Sequence, residues 1–370
     1  MAGNRESGLR DFSHDEWLPF DQPAPGLLHQ LRRQSPIRPT LVALALVVLA
    51  TVAISPGRMS NAQGVAVTSS TANGPLLGFG PALAYDAKHR QVVLLNQAGQ
   101  TWIWANRSWT LAHPADSPPT GLEVAAWDPA IGKVVLVGVV GEASEFTYSY
   151  TWDGTSWNLL HPGVIPPAGA LSMAYDAATR ELVLLVGLAG PSGTIAVQTW
   201  IFDGKGWEPR AGLDSSSLSV STALGFDPST RTMLAVSTNF SASGTSTWRW
   251  DGGHWDSLTT SHHPPPSARM TLVNQPGSGK LLLLTEADSP FGDPTVAQTW
   301  TWSGRDWEER TPLGDSNVIP YAVTAGDALH GDLWAFEEIA GATPSALRPL
   351  AAFRWGGGHW DRLTIDRVTR

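Results

Sequence analysis

One tryptophan-centred segment occurs six times in this chain, and no other feature limits its possible folds as strongly. The copies are TWIWANRSW ending at Trp109, SYTWDGTSW at Trp157, TWIFDGKGW at Trp207, TWRWDGGHW at Trp255, TWTWSGRDW at Trp307 and AFRWGGGHW at Trp360. Successive copies lie 48, 50, 48, 52 and 53 residues apart. Seven positions before each closing Trp stands Trp102, Tyr150, Trp200, Trp248, Trp300 or Phe353, and five before it Trp104, Trp152, Phe202, Trp250, Trp302 or Trp355. Side chains alternate along a strand, so these two aromatics share one face. Between them and the closing Trp lie Asp153-Gly154, Asp203-Gly204, Asp251-Gly252, Ser303-Gly304 or Gly356-Gly357, with Asn106 taking the Gly place in the first copy. Such residues accept the positive φ of a tight hairpin turn. Each segment therefore reads as two antiparallel strands with an aromatic face to bury.

A second pattern precedes every hairpin: small and apolar residues, a turn, then an aliphatic run. It is clear in LAYDAKHRQVVLL, AAWDPAIGKVVLV, MAYDAATRELVLL and LGFDPSTRTMLAV, and weaker in LVNQPGSGKLLLL and VTAGDALHGDLWAF. Asp86, Asp128, Asp176 and Asp227 are placed to open turns by accepting backbone N–H groups. A unit of about 50 residues with four short strands, A to D, is a propeller blade, and six in tandem make a ring. The expected fold is all-β: a six-bladed β-propeller. Wholly contiguous blades leave no strand shared between first and last, and Val65–Ser69 is the segment available to supply one.

The repeat resembles the kelch family, or the central domain of galactose-oxidase-like chains, over roughly residues 76–363. In that family an aromatic and a Trp about six or seven residues apart mark the third and fourth strands. The chain departs from it in carrying single glycines, Gly138 and Gly187, where kelch blades have a double Gly after the second strand. Galactose-oxidase-like copper chemistry needs a Cys-crosslinked Tyr, and the chain has no Cys. That absence also excludes disulfides, Cys-ligated zinc and a Cys nucleophile. Net charge is −9 with no basic stripe in the repeat region, which argues against a nucleic-acid partner.

Ahead of the repeats, Thr40–Ser55 (TLVALALVVLATVAIS) is an uncharged apolar run. As a helix it spans about 24 Å against a hydrocarbon core of about 30 Å, a gap that flanking residues and local thinning can close. Arg32, Arg33 and Arg38 precede it and only Arg58 follows closely, so the N-terminus is expected in the cytoplasm and the repeats outside the cell membrane. A cleaved signal is the rival reading, with Ser60-Asn61-Ala62 as a small-x-small site, although 39 leading residues are long for an n-region. The expected organisation is a disordered cytoplasmic tail (1–39), a single transmembrane helix (40–55), a linker (56–74) and the propeller (75–370).

Function is expected on the face that carries the B–C loops and D–A connectors, because those loops vary and lengthen along the chain whereas the A–B and C–D turns are short and stereotyped. The candidates unique to one blade are Glu286, Asp288 and Asp293 in one acidic loop and Glu337 and Glu338 at the start of the last loop, and His113, His161 and His263 stand before Pro in D–A connectors on the same face. The acidic loop lacks EF-hand spacing and the imidazoles sit in Pro-rich segments, so neither a metal nor a cofactor is expected. No G-x-S-x-G, H-E-x-x-H or P-loop is present. The reading is a non-enzymatic extracytoplasmic binding or scaffold module for a protein or glycan partner. Its alternatives are a propeller enzyme acting on envelope carbohydrate and a transmembrane sensor signalling through the tail.

Overall fold

The computed structural model describes residues 74–369 except 76, 78–80, 141–145, 190–194, 214–221, 240–243, 268–269, 276–277, 286–297, 311–322, 328–331, 339–349 and 357–358. Among these, no helix is long and apolar enough to cross a membrane. The expected span 40–55, the tail and Val65–Ser69 lie outside them.

Six antiparallel sheets follow one another along the chain, each a four-stranded meander in blades 2 to 6. Blade 1 holds β1 (Ala82–Asp86), β2 (Gln91–Leu95), β3 (Thr101–Ala105) and β4 (Ser108–Leu111). Blade 2 holds β5 (Leu122–Asp128), β6 (Lys133–Val139), β7 (Thr147–Trp152) and β8 (Trp157–Leu159), and blade 3 holds β9 (Ala170–Asp176), β10 (Glu181–Ala189), β11 (Ile195–Phe202) and β12 (Trp207–Leu213). Blade 4 comprises β13 (Thr222–Asp227), β14 (Thr232–Asn239), β15 (Gly244–Trp250) and β16 (Trp255–Leu258). Blade 5 comprises β17 (Met270–Gln275), β18 (Lys280–Thr285), β19 (Gln298–Trp302) and β20 (Trp307–Glu309). Blade 6 comprises β21 (Val323–Asp327), β22 (Asp332–Glu338), β23 (Leu350–Gly356) and β24 (His359–Leu363). The first strands β1, β5, β9, β13, β17 and β21 contact one another in turn and close the circle around the centre.

Each second strand is an unbroken aliphatic run because a blade is covered on both faces. Val92 and Leu94 pack in the seam with blade 6, whereas Val93 and Leu95 pack in the seam with blade 2. Six hydrophobic clusters fill the six seams, and each pairs the aromatic hairpin of one blade with the apolar face of the blade before it. Within each hairpin the second aromatic and the closing Trp meet at 5.0–5.3 Å. Burying one such side chain contributes roughly 1.5–3 kcal/mol, so the six hairpins are the main store of seam stability.

The seams also carry a polar ladder. The closing Trp donates its indole N–H to a Ser or Thr hydroxyl of the preceding blade: Trp157 to Thr101 (2.9 Å), Trp207 to Ser149 (3.0 Å), Trp255 to Thr199 (2.9 Å) and Trp307 to Thr247 (2.9 Å). Two rungs are missing. Trp360 Nε1 and the equivalent hydroxyl, Thr299 Oγ1, are both buried without a hydrogen-bond partner. At the seam between blades 6 and 1 the equivalent residue is Ala352, and Trp109 Nε1 has no partner either.

The A–B turns behave as their aspartates imply. Asp86, Asp128, Asp176 and Asp227 are buried and accept N–H bonds from His89, Ala130, Ala178 and Ser229 at 2.8–3.2 Å. The residue four after each Asp is left-handed: Arg90 (φ 54°), Gly132 (φ 64°), Arg180 (φ 66°) and Arg231 (φ 58°). In the C–D hairpins, Gly154, Gly204, Gly252 and Gly304 have φ of 90–107°, and Asn106 stands at 49°.

The C-terminal end of the chain supplies an extra strand that ties blade 6 to blade 1. After β24 the chain turns back, and β25 (Arg367–Thr369) pairs in parallel with the outer edge of β4. Asp366 N donates to Arg107 O at 2.9 Å, Arg107 donates to Thr364 O at 3.0 and 3.2 Å, and Thr110 Oγ1 lies 2.9 Å from Thr369 Oγ1. Pairing covers an edge that would otherwise present free N–H and C=O groups.

Candidate functional site

Among the described residues, the large exposed hydrophobic side chains gather in one part of the ring. They are Leu122, Val140, Phe146, Leu159, Val164 and Ile165. All six belong to blade 2 or to the connector leaving it, and Phe146 is the most exposed at 58%. Leu122 opens β5 opposite Val139, whereas Val140 and Phe146 bound the B–C loop of this blade. Phe146 bridges to Pro167, and Thr147 bonds to Pro166 O through both its N–H and its hydroxyl, which brings Val164 and Ile165 alongside. The loop-bearing end of blade 2 thus presents an apolar rim.

Beneath that rim lies a buried carboxyl that sequence reasoning missed. Glu123 on β5 is 7% exposed and receives the Tyr148 hydroxyl at 2.9 Å, while the same hydroxyl lies 2.7 Å from Pro119 O. Gly138 makes room for the pair, since a Cβ there would overlap Tyr148 Oη and come within 2.8 Å of Glu123 Cγ. Burial raises the Glu123 carboxyl above its usual range, opposed by the hydrogen bonds from Tyr148 and the Gly121 backbone. A single hydroxyl hydrogen cannot fully serve two acceptors. Glu123 Oε1 and Pro119 O share the Tyr148 hydroxyl as donor. The pair ties the connector from blade 1 to blade 2 and so shapes the floor of the rim. Glu123 has no counterpart in the other blades, and that uniqueness was the signal available in the sequence.

The residues singled out from sequence fare differently. Glu286, Asp288 and Asp293 lie outside the described residues. Glu337 and Glu338 end β22, opposite Ala351 and Leu350 of β23. His113 and His161 are exposed in their connectors, and His263 lies 3.1 Å from Thr260 Oγ1. Among the described residues no group of three His, Asp or Glu is arranged to hold a metal ion.

Connectors and C–D turns are closer than a strict division into two faces implies. Ser261 N and His262 N donate to Asp306 in the blade 5 hairpin at 3.0 Å, His262 Nδ1 approaches the same carboxylate at 2.8 Å, and Ala115 N donates to Ser156 Oγ in the blade 2 hairpin. Strand twist swings the outer strands of one blade towards the hairpin of the next. These hydrogen bonds hold the Asp306 carboxyl at about 2, below its ordinary value.

No protein-family model and no curated protein sequence matches this chain. Similar solved structures are numerous and share the fold at low identity. A mutant of the Aleuria aurantia lectin, in complex with Fucα1-6GlcNAc, is 13% identical with a TM-score of 0.54, covering 78% of this chain and 96% of the lectin. The lectin SapL1 in complex with α-methyl fucoside is 14% identical with a TM-score of 0.53, covering 80% and 98%. AofleA from Arthrobotrys oligospora is 14% identical with a TM-score of 0.51, covering 77% and 86%. At these identities the likeness establishes a six-bladed propeller, the architecture that the repeat and the strand order independently describe.

Proposed function

We propose that this chain is a non-enzymatic binding module, anchored in the cell membrane through residues 40–55, whose extracytoplasmic propeller takes a protein partner on the loop-bearing end of blade 2. One observation carries the reading: the exposed apolar side chains of the described residues are gathered at that end while every hairpin Trp is spent on seams. Contiguous exposed apolar surface is what a soluble domain keeps for an interaction. A partly aliphatic rim of Leu122, Val140, Phe146, Val164 and Ile165 suits an apolar protein surface. Glycosidase chemistry is less well served, because it needs two carboxyl groups facing each other at about 5–9 Å and Glu123 is engaged with Tyr148. The lectin neighbours support a second reading in which the partner is a glycan.

The test is affinity enrichment from an envelope extract with the full chain as bait, comparing wild type with a Phe146→Ser/Ile165→Ser variant. The reading expects a reproducible partner whose enrichment falls at least tenfold in the variant. Loss of that partner after enzymatic deglycosylation of the extract would support the glycan reading. Equal enrichment by both baits would overturn the assignment to blade 2.

A further inference from the structure

The seam between blades 6 and 1 is built differently from the other five. Elsewhere the two second-strand side chains that face the next blade are aliphatic: Val93 and Leu95, Val135 and Val137, Val183 and Leu185, Leu234 and Val236, Leu282 and Leu284. At the sixth seam they are Trp334 and Phe336. Phe336 packs edge-on against Trp104 and Trp109, whereas Trp334 reaches Tyr85 at 5.3 Å and remains only partly buried. Beside Trp334 the seam opens into a cavity of about 330 Å³. Arg90 from the A–B turn, Arg107 from the hairpin of blade 1 and Arg354 from β23 all line it, with Asn106 and Tyr85. No carboxylate is among its described lining residues.

Three arginines line this cavity in a chain with a net charge of −9 and only 24 Lys and Arg in all. Arg107 is held in place by Thr364 O and lies 3.6 Å from Asp366, and Asp361 stands opposite Arg354 in the strand register. These acids moderate the charge from outside the cavity.

We propose that this cavity binds an anionic sugar unit, its oxyanion on Arg90, Arg107 and Arg354 and its ring against Trp334. Planar guanidinium forks match carboxylate and phosphate oxygens, and an indole face offers a flat apolar wall for a ring. The volume sits at the low end of the roughly 300–1,000 Å³ of small-molecule sites, which fits a single ring. The proposal stands apart from the partner surface of blade 2 and needs none of its residues.

The test is saturation-transfer NMR on the full chain at low ionic strength, with methyl glucuronide, glucose 6-phosphate and the neutral methyl glucoside as probes. Arg354→Ala removes one guanidinium from an exposed position, and Arg90→Gly removes another where φ is already left-handed, so both variants keep the fold. Transfer is expected to at least one anionic sugar and not to the glucoside, with affinity falling about tenfold or more in each variant and little changed in Phe146→Ser. Comparing the two anionic probes distinguishes a carboxylate from a phosphate ligand. Equal transfer to all three probes, transfer to none, or variants that bind like wild type would each overturn the proposal.

Discussion

Replacing Thr247 and Thr299 by valine tests whether the seams are held by specific hydrogen bonds as well as by apolar burial. The residues occupy equivalent positions in blades 4 and 5, and both are buried. Thr247 Oγ1 accepts the Trp307 indole N–H at 2.9 Å, whereas Thr299 Oγ1 and the Trp360 N–H opposite it have no partner. Valine is close to threonine in shape, so packing changes little in either case. Thr247→Val leaves the Trp307 N–H buried and unsatisfied, which costs about 1–3 kcal/mol. Thr299→Val removes a hydroxyl that makes no bond and is expected to be neutral or stabilising by up to about 1 kcal/mol. For a domain of roughly 300 residues the unfolding entropy is about 0.6 kcal/mol/K, so a 2 kcal/mol loss lowers the melting temperature by about 3 °C. Calorimetry on the full chain should show Thr247→Val falling by a few degrees while Thr299→Val stays level or rises. Equal losses in the two variants would refute the reasoning.

Glu123→Gln should change how stability depends on pH. The folded carboxyl is raised by burial, so its contribution is fully present below the unfolded value of about 4.3 and is lost as pH rises through the folded value. Denaturation midpoints should show the variant gaining on wild type between acid and neutral pH, and parallel profiles would contradict a raised Glu123. Gly138→Ala should destabilise by about 1–3 kcal/mol through overlap with Tyr148 Oη, and denaturant unfolding at unchanged m-value checks it. Arg231→Gly should stabilise by about 0.5–1 kcal/mol, because Arg231 is exposed at φ 58°, where a Cβ is strained; a lower melting temperature would contradict it.

Much of the ring was legible because each blade repeats the same physical solution. Three aromatics at fixed spacing mark each hairpin, and an Asp before an aliphatic run marks each A–B turn in blades 1 to 4. Closure was not legible, since Arg367–Thr369 is only three residues long and its partner strand lies more than 250 residues earlier. The Trp–hydroxyl ladder was written in the alignment as Thr101, Ser149, Thr199, Thr247, Thr299 and Ala352, but a hydroxyl beside an aromatic says nothing about the blade it faces. Leu122 and Phe146 look like ordinary strand residues, and their exposure follows from position at the start of β5 and beside Pro167. Arg90, Arg107 and Arg354 line one cavity only because the ring joins its first blade to its last. The expectation of a working loop face rests on loop length, and the long B–C loops after β18 and β22 lie outside the described residues.

The most direct test of a partner surface on blade 2 is site-specific photo-crosslinking in intact cells. A photoreactive residue at Phe146 samples the apolar rim, and one at Ala177, exposed in the A–B turn of blade 3, serves as the control. A discrete crosslinked adduct from position 146 and none from position 177 is the predicted result. An adduct from position 177 alone, or none from either position, would contradict a binding module that works through the loop-bearing end of blade 2.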